Sequence, residues 1–296
     1  MIFQDIIGNE ETKQILSKSI EENHISHSYL LIGIDGIGKS LIAKEFARKI
    51  LCLNKDDDVS RCNSCIKWQN NNHPDFVQIE SEDGKIKIDQ IRFLQEQISE
   101  KPIISTKKVY FIKDCDQMTT EAQNCLLKTL EEPPEYAVII LTTSNESKLL
   151  TTVKSRCLKL YLQGIPKEKI KQYLIEKNYE NIDENLINIS EGSIGRAIKL
   201  QENKQLYTEI SKILVSVESK NIGEIFKDAA VLYNQKEEIQ EILNYINVCL
   251  YNSKEINKIN CIKYVEETKK RLNSNSNYDM CIDYLLMKMN EEMKNK

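Results

Sequence analysis

The sequence predicts an α/β fold, in which a parallel sheet covered by helices is followed by a region that is helical throughout. Up to about residue 162, five apolar runs of strand length alternate with segments of helical periodicity. A glycine-rich loop joins the first run to the first helical segment, as in many parallel α/β domains. After residues 164–166 (GIP) the strand-like runs stop, and apolar residues recur only at helical spacing.

The predicted strands are apolar runs of ordinary strand length, rich in β-branched and aromatic side chains. They are Ser28–Ile32, Phe76–Ile79, Val109–Ile112, Ala137–Thr142 and Leu158–Leu162. Helices are predicted between them, at about 39–52, 88–100 and 119–132. In the second of these segments, Ile91, Leu94 and Ile98 lie on one face of a helix. The connections between the strands are therefore helical, as a parallel sheet requires.

Two weaker breaks divide the helical region. One lies near Gly192 and the other around residues 203–206, so a small helical unit precedes a larger one. The predicted domains are 1–162, 163–205 and 206–296.

The composition is that of an ordinary soluble protein, with 41% apolar and 29% charged residues among 296. The net charge of −4 argues against a protein that holds nucleic acid alone by bulk electrostatics, so any DNA contact is expected to be shared with partner chains. No apolar stretch approaches the roughly 20 residues that cross a bilayer, and residues 1–14 lack the pattern of a signal peptide. We therefore expect a cytoplasmic location and no membrane partner.

Residues 33–40, GIDGIGKS, form a complete G-x-x-x-x-G-K-S motif, hereafter the phosphate loop. The motif follows a predicted strand and opens a predicted helix, which is the context it needs. Glycines let the backbone bring its N–H groups to phosphate oxygens, the lysine reaches the β and γ phosphates, and the serine hydroxyl ligates Mg²⁺. These roles predict binding of ATP or ADP by Gly33, Gly36, Gly38, Lys39 and Ser40. The alternative is a glycine-rich turn that binds nothing.

The residues after the third strand do not match a nucleotide hydrolase. A hydrolase offers two adjacent acids there, one for Mg²⁺ and one to polarise the attacking water, whereas this chain has Lys113 and Asp114. A lysine beside a metal site repels the cation. We therefore expect weak or absent Mg²⁺ binding and little hydrolysis, unless Asp114 or Asp116 shifts into the missing position.

Five further segments carry a family resemblance: DIIGN at 5–9, HSYL at 27–30, HPD at 73–75, LLKTLEEPPE at 126–135 and SRC at 155–157. The sequence resembles the clamp-loader AAA+ proteins of bacterial replication, most closely the delta prime family of DNA polymerase III subunits. The resemblance covers about the first 200 residues, whereas about the last 90 agree only in helical character.

The resemblance implies an AAA+ domain with a phosphate loop, a helical lid to about residue 205, and an all-α C-terminal collar that holds a hetero-pentamer together. The implied partners are the gamma or tau subunits, the delta subunit, the sliding clamp and, through the assembly, primed DNA. Arg156 of the SRC segment is implied to reach ATP on the neighbouring subunit as an arginine finger supplied in trans, which neutralises charge on the transferring phosphoryl group. A surface arginine at a strand edge is the alternative.

The same resemblance separates a stator, which stays rigid while its neighbours turn over ATP, from an ATPase subunit. Lys113 and the 296-residue length favour delta prime, a component of the DNA polymerase III holoenzyme that supplies the finger and hydrolyses little ATP itself. One alternative is a gamma- or tau-like subunit that hydrolyses ATP. The other is a zinc-dependent interaction module with a vestigial nucleotide site.

An insertion at 52–65 contains three of the nine cysteines: Cys52, Cys62 and Cys65. The resemblance implies a zinc module with four cysteines here, and four thiolates close a tetrahedral zinc site. The family's C-x₂-C-x₂-C spacing puts the missing ligand at Val59, and His73 is the candidate substitute unless it fixes the backbone instead. The sequence leaves open whether three thiolates and a water hold Zn²⁺ or the site stays empty. A redox pair at Cys62 and Cys65 is disfavoured, because such motifs open a helix directly after a strand.

Overall fold

The computed structural model describes Phe3 and residues 6–54, 62–274 and 276–294. The chain divides into two compact units. Unit 1 comprises Met1–Lys169 with Ser193–Gly195, and unit 2 comprises Ile170–Gly192 with Arg196–Lys296. The finer division into domains 1–162, 163–205 and 206–296 stays a prediction.

Unit 1 is built on a five-stranded parallel sheet. Its strands are β1 Ser28–Ile32, β2 Phe76–Ile79, β3 Lys108–Ile112, β4 Ala137–Thr143 and β5 Leu158–Tyr161. They lie in the order β2-β3-β4-β1-β5. All residues of β1, β3 and β4 are buried, which is why these strands read as nearly continuous apolar runs instead of alternating ones. The predicted parallel sheet is confirmed.

Lys108 explains why the sequence places the start of β3 one residue late. A lysine interrupts the apolar pattern, yet this lysine is buried, and its Nζ donates to the Gln97 carbonyl at 2.9 Å. Gln97 lies in the last turn of the helix Ile88–Ile98, where carbonyls lack a partner within the helix and attract a cation. The strand therefore begins at a charged residue that stabilises the end of a helix.

The helices of unit 1 cover the sheet. They are α1 Glu10–Glu21, α2 Lys39–Leu51, α3 Asn63–Gln69, α4 Ile88–Ile98, α5 Thr120–Glu131 and α6 Thr151–Lys154. Helices α2, α4 and α5 correspond to the three predicted from periodicity. Ile91, Leu94 and Leu126 are fully buried where α4 and α5 pack into one core with strand residues. Helix α5 begins after Thr119, whose Oγ1 accepts the Ala122 N–H at 3.2 Å.

The strand order brings the carboxyl ends of β1, β3 and β4 side by side. The phosphate loop follows β1, Lys113 and Asp114 follow β3, and Ser144 follows β4. The Gly33 N–H donates to the Thr143 carbonyl at 3.1 Å, so the loop is joined to the end of β4. Ligands of open parallel sheets bind outside this edge. A nucleotide site is therefore expected at this edge of the sheet.

Every described element of unit 2 is helical. The elements are α7 Lys167–Glu176, α8 Glu184–Ile189, α9 Ile194–Glu202, α10 Lys204–Ser216, a 3₁₀ turn at Val217–Ser219, α11 Ile222–Tyr233, α12 Ile239–Asn252, α13 Ile256–Asn260, α14 Ile262–Asn273 and α15 Tyr278–Lys294. The first residues of α7 and α9 belong to unit 1. Ile242, Leu243, Ile282 and Leu285 are fully buried in its core. The predicted change from α/β to helical structure is confirmed. Within the described ranges, none of the helices is both long and apolar enough to span a membrane.

Candidate functional site

The phosphate loop has the backbone that its glycines predict. Gly36 and Gly38 have φ values of 72° and 104°, in the left-handed region that favours glycine. A Cβ on Gly33 would lie 3.2 Å from the Leu162 carbonyl oxygen, so a larger residue would press on the neighbouring backbone. Helix α2 begins at Lys39, directly after Gly38. The N–H groups of its first turn have no partner within the helix, which makes this end an anion-binding position.

Lys39 is held at the centre of the loop. Its side chain is only 5% exposed, and its Nζ donates to the carbonyls of Gly33 at 2.7 Å and Ile34 at 3.0 Å. The Asp35 carboxylate lies 3.5 Å from the same nitrogen. Ser40 follows in the first turn of α2 and is half-buried. A buried ammonium inside a glycine loop, with a helix end behind it, fits the phosphates of a nucleotide.

A segment distant in the sequence supports the loop within unit 1. Ser193 Oγ donates to the Asp35 carbonyl at 2.8 Å, and the Gly195 N–H donates to the Gly36 carbonyl at 3.0 Å. A Cβ on residue 195 would lie 2.9 Å from the Gly36 Cα, so this approach requires glycine. The peptide between Asp35 and Gly36 is trans, and its N–H therefore points away from Ser193. Sequence reasoning missed this contact, although the GSIG pattern at 192–195 was its signal.

The two residues after β3 face different partners. The Lys113 Nζ lies 3.8 Å from the Glu80 Oε1, at the end of the neighbouring strand β2. The Asp114 N–H donates to Thr142 Oγ1 at 3.0 Å, and Asp114 itself has a φ of 50°. Burial raises the pKa of the Asp114 carboxyl, while the ammonium groups of Lys113 and Lys39 act in the opposite direction. Asp114 is thus an acid after β3 whose carboxyl is influenced by the charge of the phosphate-loop lysine.

Asp116 is tied to the end of β4. Its Oδ1 accepts the Thr143 hydroxyl at 2.8 Å and lies 3.4 Å from the Ser144 nitrogen, which donates to it. These contacts hold the carboxylate in the connection after β3. Of the two acids that the sequence offers as substitutes, Asp116 is thus engaged by hydrogen bonds at the end of β4, whereas the Asp114 carboxyl is influenced by the charge of Lys39.

Arg156 follows the short helix α6. Its Nη2 lies 2.6 Å from the Glu131 Oε1, and its Nη1 donates to the Thr152 carbonyl at 2.9 Å. The backbone is fixed as well, because the buried Ser28 donates its hydroxyl to the Arg156 carbonyl at 2.6 Å. The side chain is 33% exposed. One ion pair thus joins the SRC segment to the LLKTLEEPPE segment, which contains Glu131. The sequence alone did not predict this contact.

The three cysteines of the insertion converge. Their sulfur atoms all lie within 4.8 Å of one another, with 3.9 Å between Cys52 and Cys62 and 3.5 Å between Cys52 and Cys65. Burial and the neighbouring thiols raise the pKa of Cys65 to about 12. Burial also acts to raise the pKa of Cys62, but hydrogen bonds from its neighbours bring it down to about 7. Three converging thiols fit a zinc ion, and Val59 lies outside the described residues.

His73 is not a fourth ligand in this arrangement. Its Nδ1 accepts the Asp75 N–H at 3.1 Å, so the neutral ring carries its proton on Nε2. Nε2 lies 2.9 Å from Ser64 Oγ, which in turn donates to the Leu51 carbonyl at 2.7 Å. Both ring nitrogens are therefore used to fix the backbone. In the part of the chain that the structure describes, the metal-binding group contains only the three cysteines.

The buried His73 should make the stability of unit 1 depend on pH. Burial lowers the pKa of His73 below its ordinary value of 6.5, so the unfolded chain takes up the proton more readily than the folded one. The free energy of unfolding should therefore fall as the pH drops below about 6.5 and should be recovered above it. Urea titrations between pH 7.5 and pH 5.5 would measure this slope. His73→Gln should reduce it, whereas His27→Gln, at an exposed position, should not.

Comparison with known proteins identifies the family. The family described as "DNA polymerase III, delta subunit" matches residues 8–166, which span the phosphate loop, the cysteines and Arg156. The chain belongs to this family. Its predicted membership in the clamp-loader group is therefore confirmed.

Two relatives from this clamp-loader group are similar at the same level. The chain is 33% identical to the DNA polymerase III subunit delta' of Bacillus subtilis over 202 residues, which are 68% of this chain and 61% of the relative. It is also 33% identical to the subunit tau/gamma of Haemophilus influenzae over 174 residues, which are 58% of this chain and 25% of the relative. The chain thus spans between a quarter and about three fifths of the length of these two relatives.

A solved structure supports the fold of the clamp-loader chain. A DNA polymerase III gamma subunit-related protein from Thermotoga maritima superposes with a TM-score of 0.54 at 20% identity, covering 94% of this chain and 99% of the other. At this level of identity the likeness concerns the fold alone. The predicted α/β fold with C-terminal helices is therefore confirmed.

Proposed function

We propose that this clamp-loader chain is a delta prime subunit, a stator that helps to load the sliding clamp onto primed DNA. In this role it contributes Arg156 to the ATP site of a neighbouring gamma or tau subunit and turns over little ATP itself. Its assembly partners are gamma or tau and delta, in a hetero-pentamer that its helical C-terminal region helps to hold. The net charge of −4 supports a DNA contact that the whole assembly shares.

The observation that carries the proposal is the pair of residues after β3. A hydrolase needs one acid to hold Mg²⁺ and a second to polarise the attacking water. Of the two positions directly after β3, only Asp114 offers a carboxylate, while Lys113 adds a positive charge beside it. A single carboxylate whose pKa is raised by burial is a poor substitute for two ionised acids. Metal-assisted turnover should therefore be slow.

Nucleotide binding does not require those acids. Gly33, Gly36 and Gly38 shape the loop, and Lys39 and Ser40 stand where a lysine and a hydroxyl meet the β and γ phosphates. The Lys39 ammonium contacts two carbonyl oxygens and the Asp35 carboxylate. The phosphates of bound ATP or ADP would give this ammonium a negatively charged partner. We therefore propose that ATP or ADP binds here with weak Mg²⁺ dependence.

A gamma- or tau-like ATPase is the second candidate. It is favoured by the complete phosphate loop together with the influence of the Lys39 charge on the Asp114 carboxyl. Under this hypothesis Asp114 alone serves the metal, and the 33% identity to the tau/gamma relative reflects a shared activity. The two candidates differ in what the chain does without partners.

ATP turnover by the purified chain distinguishes them. As a stator, the chain alone should turn over ATP at less than about 0.01 s⁻¹, at least about a hundredfold below ordinary enzyme rates, while still binding nucleotide. Lys39→Ala, which removes the loop ammonium, sets the background rate. Mg²⁺-dependent phosphate release near about 1 s⁻¹, lost in Lys39→Ala, would establish the ATPase candidate instead.

We also propose that Cys52, Cys62 and Cys65 hold one structural Zn²⁺. The ion would link Cys52, directly after α2, to Cys62 and Cys65 at the start of α3. After supplementation with zinc and desalting, elemental analysis of the full chain should give about one zinc per molecule. Cys65→Ser should lose this zinc. Cys281→Ser, a buried thiol of unit 2, should keep it. A wild-type chain without stoichiometric zinc would contradict the proposal.

A further inference from the structure

The ion pair between Arg156 and Glu131 has no role in the proposed function so far. The two side chains lie 2.6 Å apart and are partly exposed, Arg156 by 33% and Glu131 by 49%. Glu131 is the last residue of α5, and the Thr152 carbonyl that also binds the guanidinium belongs to α6. Two separate helices therefore fix the direction of one arginine side chain.

The contacts leave the guanidinium able to bind an anion. Arginine has five N–H donors, and the two close contacts, to Glu131 and to the Thr152 carbonyl, take two of them. Ser155 Oγ lies 3.5 Å from Nη1 and takes a third donor at most. At least two donors remain without a partner among the described residues, enough for a phosphate oxygen contact. Because Glu131 is half exposed, water screens its charge, and its attraction for Arg156 is weaker than that of a phosphoryl group in a dry interface.

We propose that Glu131 is a positioning residue for Arg156. The inference rests on the proposed role of Arg156 as an arginine finger. A free arginine samples many side-chain conformations, and most of them point away from a neighbour's phosphate. The Glu131 carboxylate and the Thr152 carbonyl restrict the guanidinium to one direction before the partner arrives. Less conformational freedom is then lost when Arg156 meets the transition state.

The size of the effect follows from the exposure of the pair. Exposed ion pairs are weak, so loss of Glu131 should reduce the turnover of the neighbouring site about two- to fivefold. The effect should fall on kcat and leave the KM for ATP unchanged, because the finger acts on charge that develops in the transition state. A residue that merely stabilised the fold would instead alter assembly or thermal stability.

Glu132 provides a matched control. It is the adjacent acid at the same helix end and is exposed, and its carboxylate makes no ion pair within the described part of the chain. Glu131→Ala and Glu132→Ala therefore make the same chemical change one position apart. Four variants should be compared with the wild-type chain: Glu131→Ala, Glu132→Ala, Arg156→Ala and the double variant of Glu131→Ala with Arg156→Ala. Each should be assembled with delta and with gamma or tau subunits of which only the one facing Arg156 keeps its phosphate-loop lysine, and steady-state ATPase measured.

The inference expects a two- to fivefold lower kcat for Glu131→Ala, no change for Glu132→Ala, and no further loss when Glu131→Ala is added to Arg156→Ala. An unchanged or higher kcat for Glu131→Ala, beside a strong loss in Arg156→Ala, would overturn the positioning role and leave the finger intact. A further loss in the double variant would also overturn it. An Arg156→Ala complex with full activity would refute the finger, and the inference with it.

Discussion

Replacing Arg156 with alanine should lower ATP turnover at the neighbouring motor site by about a thousandfold or more, while the complex still assembles. A finger supplied in trans, the role proposed for Arg156, neutralises charge on the phosphoryl oxygens during transfer, and contacts with α5 and α6 direct the Arg156 guanidinium. Assembly should persist because the variant removes an exposed ion pair, which contributes little to folding.

The measurement needs a complex in which only one motor site is active. Motor subunits whose own phosphate-loop lysine is replaced should occupy the remaining positions, so that the signal reports the site facing Arg156. Arg156→Lys is the matched control, since it keeps the charge but loses the planar fork, and it should recover only part of the rate. Full activity in both variants would show that the SRC arginine is a surface residue.

Replacing Asp75 with asparagine should lower the free energy of unfolding of unit 1 by about 3–5 kcal/mol. Asp75 is fully buried, and its two carboxylate oxygens accept the N–H groups of Ile103, Ile104 and Ser105 at 2.6, 2.8 and 2.8 Å. An amide offers one oxygen and turns an NH₂ group toward the N–H donors on the other side. At least one of these N–H donors then loses its acceptor, and the remaining bonds lose their charge.

Urea denaturation followed by circular dichroism would measure this loss. Asp89→Asn is the control, because Asp89 is an exposed acid whose side chain pairs with Arg92 at the surface, and its replacement should change stability by less than about 0.5 kcal/mol. Equal stability of the two variants would mean that the backbone after α4 finds other acceptors when the Asp75 carboxylate is absent.

The strands of unit 1 could be predicted because they are buried on both faces. In β1 and β4 each residue is buried, so composition alone marks them. The start of β3 could not be predicted in this way, because it is the charged residue Lys108. Its side chain is buried, and its ammonium group donates a hydrogen bond to a carbonyl in the last turn of α4. Sequence periodicity reports which faces are apolar, but it does not report which charges are satisfied inside.

The site was predictable where its residues are close in sequence. The phosphate loop is a contiguous motif, and its helix start at Lys39 follows from the pattern. The contacts of Gly195 with the loop, of Glu131 with Arg156, and of Lys113 with Glu80 join residues that are distant in the chain. Such pairs depend on how helices and strands are placed in space, and one sequence without relatives does not encode that placement in a local pattern.

The support that Ser193 and Gly195 give to the phosphate loop has a consequence for synthesis of the chain. The Ser193 hydroxyl and the Asp35 carbonyl that it contacts are 158 positions apart. A ribosome therefore releases the loop long before the residues that hold its carbonyls, and the whole sheet can form while the loop still lacks them. A nascent or truncated chain that ends at Lys169 would contain every strand of unit 1, but its phosphate loop would lack the hydrogen bonds from Ser193 and Gly195.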